Sequence, residues 1–129
     1  MSEDLALAWA SLTDDLAGDT VAARRFFTTY GALLVERAQA ATDALERGDA
    51  EAARATLLTL TCTSAMAGAH RVRALAAGLL ETAGRPGSGA DVSRGLAALR
   101  RAAREAQSDV DRLLDGQAAD PGQPTASNR

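Results

Sequence analysis

The side chains able to do chemistry gather in one stretch, "LLTLTCTSAMAGAH", Leu57 to His70. It holds hydroxyls at Thr59, Thr61, Thr63 and Ser64, the chain's one cysteine at Cys62 and its one histidine at His70. An imidazole could act as nucleophile or proton carrier, and a thiolate could attack or be oxidised. Each needs a neighbour to activate it, and the sequence supplies none. No carboxylate stands at helical spacing from His70, and no base adjoins the hydroxyls, so neither a hydrolytic triad nor an activated serine is expected. The cation nearest to Cys62 along its helix is Arg54, two turns earlier, which is thin ground for a lowered thiol pKa. Cys62 reads as a small residue on a contact surface. A single cysteine rules out an intrachain disulfide and a thiolate metal cluster. A single histidine rules out the paired Glu-x-x-His ligands of a di-metal bundle. With no glycine-rich phosphate loop either, no metal, cofactor or enzymatic active site is expected.

The elements that carry this stretch should all be helices. Alanine and leucine supply most of the apolar residues, and the β-branched and aromatic residues that favour strands are scarce. Ser2 can cap a first helix with Leu5, Trp9, Leu12 and Leu16 on one face. After "AGD", Asp19 or Thr20 caps a long helix striped by Phe27, Tyr30, Leu34, Ala38, Ala41 and Leu45, which Gly48 stops. Asp49 caps a third helix from about Ala50 to Met66, and Gly68 ends it. A fourth runs from Ala69 to Ala83 with Val72, Leu75 and Leu79 inward. The loop "GRPGSG" follows, and then Val92, Leu96, Leu99, Ala103, Ala106, Val110 and Leu113 form a seam of alternating four- and three-residue steps. Short connections between long amphipathic helices predict an antiparallel up-down four-helix bundle, with the N-terminal helix laid across it. The bundle should span residues 1–115, with 116–129, "GQAADPGQPTASNR", a disordered tail.

Charge and hydropathy narrow the partners. The formal net charge is −3, and all the basic residues are arginines without a stripe of interleaved aromatics. Nucleic acid therefore has no electrostatic footprint here. No apolar run approaches a membrane span, and no basic-then-apolar leader opens the chain, so a cytoplasmic protein is expected.

The phase of the third helix decides which of its residues are available. At 100° per residue, Ala53, Leu57, Leu60, Ser64 and Ala67 share one side, and Glu51, Arg54, Ala55, Leu58, Cys62 and Ala65 share the other. Glu51 and Arg54 belong in water, so the Leu57/Leu60 side is the buried one. Leu58 then points outward among Ala55, Thr61, Cys62 and Ala65, a flat and mostly small-residue contact patch.

The span Glu36 to Glu81 resembles the histidine-containing phosphotransfer (HPt) domain family. That family's pattern is a long helix ending in Gly-Asp, a helix with His-x-Leu-Lys-Gly-Ser-Ser, three variable residues, Gly-Ala, and a further leucine-bearing helix. Gly48 and Asp49 match the junction; Leu60, Ser64, Gly68 and Ala69 match without a gap; Val72, Leu75 and Leu79 follow as the family's leucines do. The upstream "DDLAGDTVAARRFFTTYGALL" resembles the family's opening, so the likeness covers roughly residues 4 to 114. It implies the same bundle, a place in a phosphorelay, and a response-regulator receiver domain or histidine kinase as partner.

The departures fall where the chemistry would be. In that register Leu58 stands at the phosphoacceptor histidine, Thr61 at the lysine near the phosphoryl group, and Cys62 at the glycine that gives the receiver room. Leucine has no lone pair with which to attack an acyl phosphate. The resemblance thus implies a pseudo-HPt protein that docks through Leu58, with Glu51, Arg54, Ala55, Thr61, Cys62 and Ala65 around it, and takes no phosphate. His70 is the alternative phosphoacceptor, but it lies roughly 18 Å beyond Leu58 along a continuous helix and past the Gly68 break. A helical interaction module that homodimerises through the Leu58 face, outside any phosphorelay, is the other alternative.

Overall fold

The computed structural model describes residues 2–118, and every regular element in them is helical: α1 (Ser2–Asp15), α2 (Thr20–Glu46), α3 (Ala50–Ala67), α4 (His70–Thr82) and α5 (Gly89–Ala118). α2 packs on α3 and α5, α4 packs on the same two helices, and α1 touches α2, α3 and α5. No helix among the described residues is long and apolar enough to cross a membrane.

The apolar stripes meet in one core. Phe27, Leu34, Leu57, Leu60, Val72, Leu99 and Val110 are fully buried. α1 joins through Leu5 and Trp9, whose indole lies 5.6 Å from the Phe27 ring between centroids. Phe26 meets Phe27 edge-on at 5.2 Å, so α1 and the start of α2 share one aromatic cluster. α5 is tied to α2 by a polar relay, in which the Arg100 guanidinium donates to Thr42 Oγ1 at 3.0 Å and Thr42 donates to the Ala38 carbonyl.

The stops before and after α3 are built alike. Gly48 and Gly68 both take positive φ, and the next residue's amide reaches back five positions, Asp49 to Ala44 at 2.8 Å and Ala69 to Ser64 at 3.0 Å. This is the Schellman ending, which satisfies carbonyls the helix leaves open. Asp49 then starts α3 by accepting from the Ala52 amide at 3.0 Å. α4 starts without a side-chain cap.

Two expectations need correction. Leu16 lies beyond the end of α1 and is exposed, because the helix stops before the turn made by Ala17 and Gly18. α5 also runs through Gly116 to Ala118, past the expected boundary, since one glycine in a helix costs only about 1 kcal/mol. The remainder of the expected tail, residues 119–129, lies outside the described residues.

The two stop glycines differ in their surroundings. A Cβ on Gly48 would meet open space, whereas one on Gly68 would lie 2.6 Å from the Asp4 carbonyl oxygen and 2.9 Å from Ala8 Cβ. α1 is seated directly on the α3–α4 turn. Gly48→Ala should therefore cost about 1 kcal/mol, the left-handed penalty alone. Gly68→Ala should cost about 1–3 kcal/mol more, because backbone must move. Urea unfolding of both variants measures the difference, and equal costs would mean that α1 does not rest on Gly68.

Candidate functional site

The outward face of α3 is the candidate site. Glu51, Arg54, Ala55, Leu58, Cys62 and Ala65 are exposed along it, and Thr61 is half-buried at its edge. Leu58 keeps 49 % of its surface in water, while Leu57 and Leu60 are buried on the opposite side. Glu51 and Arg54 at the helix start lie on this exposed side, as charges that could not be buried unpaired must.

The available chemistry on this face is sparse. Thr61 Oγ1 donates to the Leu57 carbonyl at 2.8 Å, so its proton is held by its own helix. Thr63 does the same to Thr59 at 2.8 Å. Cys62 is a free, exposed thiol. Ser64 is fully buried and bonded to the Tyr30 hydroxyl at 2.7 Å, away from any reactant in water. Among the described residues, no three of histidine, cysteine, aspartate and glutamate come together as a group able to hold a metal ion.

His70 stands apart from Leu58. It is exposed as the first residue of α4, beyond the Gly68 turn. There it lines a cleft of about 370 Å³ between α1 and the end of α3, with Leu7, Ala8, Ser11 and Leu12 on one wall and Ala65 and Met66 on the other. The first turn of α4 also carries Arg71 and Arg73, cations at the positive end of a helix dipole.

Two features of the face were not anticipated. Met66 and Leu7 are exposed by 52 % and 66 %, and they extend the apolar surface from Leu58 across the cleft onto α1. Met66 lies near the Leu58 side of the helical wheel, which is the signal that could have included it. Leu7 could not be placed without knowing where α1 rests. The Tyr30–Ser64 bond is the second: both residues fall on core stripes, and a buried phenol needs a partner, but the sequence does not say which.

That bond fixes the rotation of α3 against α2. Burial pushes the Tyr30 hydroxyl from its ordinary 10.0 up to about 12, and the Ser64 bond opposes the rise.

Comparison with known proteins finds no matching family model, no matching curated protein and no matching solved structure.

Tyr30→Phe should cost about 1 kcal/mol at neutral pH by leaving Ser64 without its partner. The neutral phenol's preference for the folded state is fully present below pH 10 and is lost as the pH rises towards about 12. Wild-type stability should fall across that window by on the order of 2 kcal/mol through this group, and the phenylalanine variant should lack that component. Denaturant unfolding at several pH values reads both; identical pH slopes would contradict the burial of the phenol, and no loss in the phenylalanine variant at neutral pH would contradict the bond.

Proposed function

We propose that this chain is a pseudo-HPt signalling protein, an antiparallel four-helix bundle with α1 across one end, which binds a receiver domain or histidine kinase in the cytoplasm without accepting phosphate. The observation that carries this reading is Leu58. An apolar side chain stands half in water at the position where the resemblance puts the phosphoacceptor, on a face otherwise made of small residues. Buried apolar anchors contribute much of the energy of an interface, so a leucine there serves docking although it cannot serve transfer. The pairing of α2 with α3 and α5, and of α4 with the same two, supports the bundle.

The residues around Leu58 have assignable parts. Ala55, Cys62 and Ala65 keep the face low enough for close approach, and Glu51 and Arg54 form a charged rim at one end. Thr61 contributes a methyl at the edge, its hydroxyl being occupied. Bound here, the protein acts as a competitor of true phosphotransfer proteins or as an adaptor, and nothing on the face withdraws a phosphoryl group from the partner.

Two preparations test the reading. Wild-type protein mixed with phosphorylated receiver domains should acquire no phosphate. The variant Leu58→His, Thr61→Lys, Cys62→Gly should acquire acid-labile phosphate on the new imidazole, because the face already presents position 58 to water. Phosphate on wild-type His70, lost in His70→Ala, would overturn the pseudo-HPt reading in favour of active transfer. A triple variant that folds yet neither binds nor accepts phosphate from any receiver would overturn the docking assignment.

A further inference from the structure

From Ala55 to Ala69 the chain carries no charged side chain, and its outward part runs as an apolar strip from Leu58 past Cys62 and Ala65 to Met66, then onto Leu7. The two ends of the strip differ in charge. Beside Leu58 lie two cations, Arg54, one turn earlier on α3, and Arg37 of α2, which borders a shallow depression with Ala55 and Thr59, against the one carboxylate of Glu51. Beside Met66 lies α1, which has acidic residues and no basic one, and which sets Asp4 and Asp15 on the cleft, against the one guanidinium of Arg71, which lines the adjoining hollow with Asp4 and His70. None of Arg37, Arg54, Asp4 and Asp15 is engaged in an ion pair among the described residues, where the pairs are Arg47–Asp49, Arg94–Asp91 and Arg112–Asp109.

A strip whose net charge is positive at one end and negative at the other is complementary to itself reversed. An isologous contact requires that reciprocity, since residue i must meet j while j meets i. We propose that a second copy of this chain covers the strip, with the two α3 helices antiparallel and the two-fold axis passing beside Cys62. Cys62 lies midway between Leu58 and Met66, about 6 Å of helix rise from each, so Leu58 of one copy seats beside Met66 of the other. Arg37 and Arg54 of each copy then approach Asp4 and Asp15 of the other. A parallel pairing would instead set ends of like net charge together. Ala55, Thr59, Cys62 and Ala65 are small enough to let the helices come close.

The dimer stands on the chemistry of the strip alone. One consequence rests on the signalling reading: the dimer covers the face that takes the partner, so self-association and partner binding exclude each other, and the free monomer is the binding species.

Sedimentation velocity of the purified full chain from about 1 µM to about 1 mM tests the proposal without any partner present. A concentration-dependent monomer–dimer equilibrium is expected, weakened about a hundredfold or more by Leu58→Glu, because the substitution acts twice across a two-fold interface. Arg37→Asp with Arg54→Asp should weaken it too, and adding Asp4→Arg and Asp15→Arg should restore it, a rescue that a merely structural role would not give. With diamide as oxidant, the wild type should form a Cys62–Cys62 cross-link at concentrations where dimer is populated. Circular dichroism confirms that each variant is folded. A chain that stays monomeric throughout overturns the proposal, as does a dimer indifferent to Leu58→Glu. A dimer lost with Leu58→Glu but not rescued by the charge exchange overturns the antiparallel register. None of these outcomes bears on phosphate transfer or receiver binding, so failure here and failure of the pseudo-HPt reading are separable.

Discussion

The rotation of α3 about its own axis is held by the buried bond between Tyr30 and Ser64, and the rest of the surface depends on it. Turning α3 by one residue would carry Leu58 into the core and Leu57 into water. It would also strand the Tyr30 hydroxyl and the Ser64 hydroxyl without partners in a dry interior, where each unsatisfied group costs about 1–3 kcal/mol. Apolar packing alone would resist the turn weakly, since one leucine exchanges for another. The hydrogen bond makes the two rotations unequal, and it lies directly beneath the face it orients.

The second constraint is positional. Gly68 ends α3 in a left-handed turn with no side chain, and the α1 backbone occupies the space that a Cβ would need. That contact, together with Leu5 and Trp9 in the core, seats α1 beside Met66 and sets Leu7, Asp4 and Asp15 on the cleft. The close seat of α1 beside Met66 thus requires that position 68 carry no side chain. His70, one residue past the α4 cap, is carried by the same turn to the far side of the cleft, which separates it from Leu58.

Much of this was legible in the sequence where the signal is local. Asp19 and Asp49 were readable as caps, Gly48 and Gly68 as stops, and the phase of α3 followed from Glu51 and Arg54 because charges resist burial. What was not legible needed distance information. Tyr30 and Ser64 are far apart in the chain, and each could have bonded to a backbone carbonyl instead. The seat of α1 depends on a close approach that no pattern in Ser2–Asp15 announces, so Leu7 could not be added to the face. The end of α5 was misplaced for the opposite reason: the apolar pattern stops before Gly116, but a helix continues past its last apolar residue, and a glycine within it only weakens it.

The account stands or falls on whether the Leu58 face is where a signalling partner binds. The most direct measurement is nuclear magnetic resonance of isotope-labelled protein, titrated with each receiver domain of the source cell, with and without beryllofluoride as the phosphoryl mimic. The account predicts that at least one receiver perturbs the amides of Ala55, Leu58, Cys62, Ala65 and Met66 together with those of α1 around Leu7. Perturbations confined to the outer side of α5, around Arg101 and Arg104, or none with any receiver, would contradict it.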